Sequence, residues 1–193
     1  MLPRSFYHRS TTTVARDLLG KILVHEQNGG RIAGMIIETE AYVGETDLAC
    51  HAKAGRTKRT AQMYGQPGFA YVYFTYGMHW LFNCVTEDEG FPAAVLVRGV
   101  KPLDGIDIIA ARRKPIARPQ WTNGPGKLSK AFGIHGAHHG TDLCAPNSNL
   151  FIEDNDPISD FSVTTSPRVG LNTVPEPWKS MPWRWLVTSN IAR

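Results

Sequence analysis

Between Arg31 and Tyr42 the chain reads Arg-Ile-Ala-Gly-Met-Ile-Ile-Glu-Thr-Glu-Ala-Tyr, an apolar run carrying two carboxylates. No other stretch restricts the fold as much. Asn28, Gly29 and Gly30 stand directly before it, and these residue types accept positive φ at little cost, so a hairpin is expected there. The partner strand is then Lys21 to His25. Side chains alternate between the faces of a strand, which places Ile36, Glu38, Glu40 and Tyr42 on one side. Met35, Ile37, Thr39 and Ala41 take the other. A carboxylate on a strand beside the core must be solvated, paired or used, because burying it alone is costly. For Glu40 the plain alternative is an edge-strand glutamate facing water, and Glu38 carries the same ambiguity.

The flanking sequence supplies the other elements. Thr11-Thr12-Thr13 before Val14, Ala15, Leu18 and Leu19 predicts a short capped helix that Gly20 stops. Gly44 to Gly68 is long and polar, with Arg56, Lys58 and Arg59 clustered in it, and reads as a surface loop, mobile or functional. Phe69 to Thr75 is a strand by β-propensity. Tyr76-Gly77 is a turn or bulge and His79 to Val85 the next strand. After the turn Glu87 to Gly90 comes a strand from Ala93 to Val100. Asp104 to Arg113 has helical spacing and an acidic start; Pro115 and Pro119 end it. A helix is expected from Lys127 to Phe132, closed by Gly133. Short strands follow around Leu150–Glu153 and Trp185–Thr188, between proline-rich loops. The expected architecture is α+β: a single compact domain over residues 1–193, around a curved, mainly antiparallel β-sheet with flanking short helices.

Composition narrows the partners only a little. Lys and Arg number 21 against 17 Asp and Glu, a formal charge of +4. Such mild basicity suits a polyanion, but many proteins without one share it. The three cysteines, Cys50, Cys84 and Cys144, are an odd count without a C-x-x-C pair. That argues against a disulfide framework or zinc finger and for a reducing compartment. No segment approaches the ~20 apolar residues of a membrane span, and Met1 to Ser5 does not open a secretory signal. A cytoplasmic monomer is expected.

Several other side chains invite chemistry. His51, in the polar segment after Glu40, reads as a proton donor, a hydrogen-bond reader or a satisfied surface residue. His138-His139 with Asp142 and Cys144 suggests a metal, but adjacent histidines rarely reach one ion together; these read as loop residues, and no metal is expected. Tyr71, Tyr73, Tyr76, Trp80 and Phe82 read first as packing between two strands. Tyr76 departs from that reading, since a tyrosine at a hairpin tip projects outward and suits a wedge that fills the gap left by an extruded nucleotide. Tyr42 and Tyr73 are then placed to face a flat ligand as stacking walls. Asn83 and Arg98, polar residues inside apolar strands, each need a partner or a ligand.

Together these stretches resemble the alkyladenine (methylpurine, or 3-methyladenine) DNA glycosylase family. Ile37-Glu38-Thr39-Glu40-Ala41-Tyr42 looks like its active-site strand. His51 falls nine residues beyond Tyr42, where the family has its active-site histidine. Tyr71-Val72-Tyr73-Phe74-Thr75-Tyr76-Gly77-Met78 is similar to its base-stacking and intercalating hairpin. Asn83, Arg98 and Gly124-Pro125-Gly126-Lys127-Leu128 also fall in register. The likeness runs from about Leu18 to Ile134 and more loosely to the end. The resemblance implies that Glu40 is the general base for an attacking water and that Arg98 helps hold that water. It implies that Tyr42 and His51 form one wall of a base pocket and Tyr73 the other, with His51 also hydrogen-bonding the base. Asn83 disfavours normal guanine by clashing with its exocyclic amine, and Tyr76 intercalates. Met78, His79 and Lys127 meet the DNA backbone. To these we add the basic loop from Arg56 to Arg59. His79 is a departure, standing where a tyrosine is expected in vertebrate members. The chain also lacks the N-terminal extension of larger relatives, consistent with a bacterial-type minimal enzyme, associated with the nucleoid.

The implied activity is monofunctional: damaged purines (methyladenine, methylguanine, hypoxanthine, ethenoadenine) are flipped from double-stranded DNA and the N-glycosidic bond is hydrolysed, leaving an abasic site. No lysine lies in the proposed catalytic strand to form a Schiff base, and no cofactor is required. Two other readings compete. One is a non-catalytic nucleic-acid-binding module using the same basic and aromatic surface. The other is a hydrolase of free nucleosides or small glycosides that pairs Glu38 with Glu40.

Overall fold

The computed structural model describes residues 1–188 of the 193. Its central strand is β2, Gly30–Val43, longer than expected by one residue at each end. The Asn28-Gly29 turn, both residues at positive φ, returns the chain onto β1, Ile22–Gln27. β6, Leu150–Glu153, pairs with the far edge of β1. Along its other edge β2 pairs with β5, Ala93–Asp104, and β5 pairs with β4, His79–Val85, which pairs with β3, Ala70–Thr75. β8, Arg184–Val187, adds to β2 at Glu38–Glu40 and carries β7, Val163–Ser166, on its outer edge. The order β3-β4-β5-β2-β1-β6 is antiparallel throughout. The α+β expectation holds, with one correction: the sheet is open and not strongly curled.

Alternation assigns the two faces. Ala41, Val72, Phe82, Cys84, Val95 and Val97 turn into the main core, against α2 (Thr11–Asp17) and α4 (Pro125–Phe132). A fully buried Val, Leu or Phe contributes roughly 1.5–3 kcal/mol relative to exposure, so this face holds the sheet to its helices. Tyr71, Val85 and Ala94 point the other way and pack with Cys50, Ala52, Met63 and Tyr64. The last four come from the polar segment after β2. It is no plain surface loop: it forms two 3-10 turns, His51–Ala54 and Ala61–Tyr64, and covers this second face. The candidate site lies here.

Two local expectations need correction. Pairing with β5 shifts on both sides of Glu38, so strict alternation fails there. Ile36, expected beside the carboxylates, lies instead in the main core that also takes Ala41. The N-terminus of α2 is not capped by its own threonines. Glu87, in the turn after β4, accepts from both the backbone N–H (2.6 Å) and the hydroxyl (2.8 Å) of Thr11. The helix α1, Arg4–Tyr7, has no counterpart in the sequence reading, and α3, Ile106–Arg113, starts at Ile106 rather than Asp104.

Candidate active site

Neighbouring strands bring Glu40, Tyr42 and Arg98 together on the second face. Glu40 is fully buried. Its Oε2 accepts from the Tyr42 hydroxyl (2.8 Å) and from Arg98 Nη1 (3.2 Å), while Oε1 accepts from the backbone N–H of Val169 (2.7 Å). Burial raises the Glu40 pKa above the ordinary value; Arg98, the Val169 N–H and Tyr42 pull it back, and Glu38 adds a further upward push. Burial also drives the Tyr42 hydroxyl well above its normal range, with Glu40 reinforcing the rise, so Tyr42 stays a proton donor to the carboxylate.

Glu38 is engaged differently. Its Oε1 accepts from Arg98 Nε (2.8 Å) and from Arg184 Nε of β8 (2.7 Å). The Arg98 guanidinium therefore bridges Glu38 and Glu40. Two carboxylates joined by one cation are not arranged to act as an independent acid and base on a small glycoside.

Above this network opens a cavity of about 350 Å³. Tyr42, Tyr73, Asn83, Arg98 and Leu96 line it from the strands, His51 and Met63 from the 3-10 turns, Pro125 from the start of α4, Tyr76 at its mouth, and Val169 to Leu171 from the C-terminal segment. Glu40 itself lies behind Tyr42, Arg98 and Val169. The His51 and Tyr73 rings meet edge-on, centroids 4.6 Å apart, so those two residues adjoin at a corner. His51 Nδ1 is 3.0 Å from the Tyr71 hydroxyl. Burial, then the positive charges of Arg59 and Lys53, bring the His51 pKa down to about 4, which keeps the imidazole neutral at pH 7. Asn83 is almost wholly buried, and its side-chain amide donates to the Tyr71 carbonyl at 2.9 Å. The Arg59 guanidinium sits 5.2 Å from the Tyr73 ring centre.

The β3–β4 turn stands apart from this enclosed wall. Tyr76 is 85% exposed and Met78 68%. Tyr76 and Gly77 have φ of 52° and 67°. For a tyrosine this left-handed conformation costs roughly 1–2 kcal/mol, and such outliers cluster at functional sites. His79 and Lys127 lie outside the cavity. His79 rests on the first turn of α4, where a Cβ added to Gly126 would come within 2.8 Å of its ring; Lys127 Nζ donates to Asn123 at 2.9 Å. The histidines at 138 and 139 part company. His138 Nε2 lies 3.1 Å from His25 Nε2, His139 lies against β3, and no cluster able to hold a metal occurs among the described residues.

Sequence reasoning missed Val169 and its neighbours, Asp47, Arg168 and the role of Tyr71. Val169 follows Pro167-Arg168 in an irregular segment without periodicity, so no local signal marks it. Asp47 and Arg168 form a fully buried ion pair that only the tertiary fold creates. Tyr71 alternates with Tyr73, and that spacing was a usable signal.

A cavity walled by tyrosines and a neutral histidine, with a buried carboxylate behind it, suits a flat heteroaromatic ligand and a hydrolytic step. Comparison with known proteins names the group. The sequence model of the methylpurine-DNA glycosylase family matches residues 5–191. A protein of Methanocella arvoryzae with the provisional name 3-methyladenine DNA glycosylase is 47% identical over 187 residues, covering 96% of this chain and 91% of its own length. Relatives with the same provisional name from Salinibacter ruber (47% over 200 residues, 98% of this chain and 94% of the relative) and Myxococcus xanthus (46% over 183 residues, 95% and 88%) agree. The chain belongs to the methylpurine-DNA glycosylase family and is a DNA N-glycosylase, a hydrolase of DNA repair. No helix among the described residues is long and apolar enough to cross a membrane.

Proposed function

We propose that this chain is a monofunctional glycosylase that flips alkylated or deaminated purines out of duplex DNA and hydrolyses their bond to deoxyribose with a water activated by Glu40. The observation that carries the reading is the setting of that carboxylate. It is buried behind an aromatic cavity, held from three directions, and raised in basicity by burial. Oε1 has one hydrogen bond among the described residues and keeps acceptor capacity for a water. An alkylated purine leaves readily because it already carries positive charge, so a placed water, a base and a fitted pocket suffice. Glu40 also opposes the positive charge that develops on the sugar.

The remaining residues fit that chemistry. Arg98 holds Glu40 and has its own charge balanced by Glu38, and it helps orient the water. Tyr42, His51 and Tyr73 enclose the base; the tyrosine faces favour a cationic purine, and a neutral His51 hydrogen-bonds it without repelling it. Asn83, anchored on Tyr71, does not swing aside for the exocyclic amine of guanine. Tyr76 fills the gap left in the stack, a step that costs a few kcal/mol and less for damaged bases. Met78, His79, Lys127 and the Arg56–Arg59 loop meet the DNA backbone. Among the described residues the cavity lining includes no lysine, which favours simple hydrolysis over strand cleavage through a Schiff base.

The test uses short duplexes carrying hypoxanthine, ethenoadenine or methylated purines. The expected products are free base and an intact strand that breaks only on alkali, with no adduct trapped by borohydride. Tight binding without release from any of the three would favour a binding module. Release from free nucleosides but not from duplexes would favour a nucleoside hydrolase.

A further inference from the structure

The Arg168–Asp47 pair lies outside the cavity and touches no proposed substrate, yet both side chains are fully buried. Arg168 Nη2 donates to Asp47 Oδ1 (2.9 Å) and to the Trp178 carbonyl (3.2 Å); Nη1 donates to Asp47 Oδ2 and to the Ala41 carbonyl (2.9 Å). Its guanidinium carbon stands 4.8 Å from the centre of the Tyr42 ring and 5.0 Å from that of Trp183. Asp47 in turn accepts from the backbone N–H groups of Val43 and Ala49, and its carbonyl accepts from the N–H of Cys50, the residue before His51. The residue after Arg168 is Val169, whose N–H meets Glu40.

We propose that Arg168, locked by Asp47, is a positioning residue that sets three parts of the site at once: the Tyr42 ring, the turn that presents His51, and the Val169 N–H on Glu40. This inference rests on the reading of Glu40 as the base. Fork geometry and a flat cation are both needed for it, since one guanidinium makes a two-pronged contact with Asp47 while lying against two rings. A lysine keeps the charge and loses both features. An ion pair that served packing alone would have no need to adjoin the chain segment whose amide stabilises the ionised carboxylate.

The test takes Arg168→Lys and, as an isosteric second variant, Asp47→Asn, each checked for a native melting transition. The Glu40 carboxyl is titrated by carbon-13 NMR, assigned by its loss in Glu40→Gln, and base release is measured in single turnover with enzyme in excess. Loss of the Val169 N–H removes a contact that favours the carboxylate, so the Glu40 titration moves to higher pH. Arg98 and Glu38, the charged groups facing Glu40, are unchanged in both variants, and a displaced Tyr42 hydroxyl, which also favours the carboxylate, moves the titration the same way. Release slows about tenfold to a hundredfold, as expected when reacting groups are displaced by about an ångström, while affinity for lesion DNA changes much less. An unmoved titration in the folded variant overturns the proposal, and so does a moved titration with an unchanged release rate. If Arg168→Lys does not fold, the double variant Arg168→Gln with Asp47→Asn, which leaves no buried charge unpaired, decides on the same two readouts. Should the wild type release no base, the Glu40 reading fails, and the titration still decides whether Arg168 sets the carboxylate's surroundings.

Discussion

The back of the cavity and the tip of the β3–β4 hairpin are built on opposite principles. Behind the cavity the charged side chains named above are paired among the described residues: Glu40 with Arg98, Tyr42 and Val169, Glu38 with two arginines, and Arg168 with Asp47, with the buried Arg168 Nε left without a hydrogen bond. At the tip, Tyr76 and Met78 stand in solvent, and Tyr76 is held in a conformation that a tyrosine rarely adopts. Satisfied buried polar groups make geometry rigid, which chemistry requires. Tyr76 is exposed on a strained turn, and such strain clusters at functional sites; in the proposed function its partner is the DNA stack. The difference separates an enclosed, internally paired region, which the proposed function makes the reacting part, from a solvent-facing one, which it makes the capturing part.

The largest break in that contrast comes from opening the buried network. Asp47→Ala leaves Arg168 charged and unpaired in the interior, and unfolding in urea is expected to show a loss of about 3–5 kcal/mol. A loss below about 1 kcal/mol would mean that water reaches Arg168 and the region is less closed than described. Changes at the tip behave the opposite way. Tyr76→Gly relieves the left-handed turn, so stability should hold or rise by up to about 1 kcal/mol, while affinity for a lesion duplex falls about tenfold or more. Equal losses in both would make Tyr76 a folding residue. The smallest effect sharpens the chemistry. The proposed function requires an ionised Glu40, and burial raises its pKa, so release should climb with pH through a midpoint above the 4.5 of an ordinary glutamate. The same rise has the opposite sign for stability: the folded protein holds that proton more tightly, so the Glu40 contribution declines as pH rises through this window. His51, brought down to about 4, should add no activity step between pH 5 and 8.

Much of this was legible in the sequence, for physical reasons that differ by region. The strand from Arg31 to Tyr42 announced itself through its preceding Asn-Gly turn and its apolar content, and the outward projection of Tyr76 was legible from the turn at Tyr76-Gly77. Where backbone rules weaken, the reading failed. The register shifts around Glu38 sent Ile36 to the core, and no residue pattern signals such a bulge. The cap of α2 came from Glu87, 76 positions away. Val169 and Arg168 sit in an irregular proline-flanked segment, where function depends on a backbone amide and a buried ion pair that only tertiary contact creates. The polar segment after β2 looked like loop because its buried residues, Cys50, Ala52, Met63 and Tyr64, are too few and too unevenly spaced to show a period.

The central claim is that the carboxylate behind the cavity does the chemistry while the exposed surface does the capture. Glu40→Gln tests it most directly, with base release and affinity for the same lesion duplex measured side by side. The account predicts that release falls about a thousandfold or more while affinity stays within a few-fold of wild type. Release that persists in a folded Glu40→Gln protein, or affinity that collapses along with it, would contradict the claim.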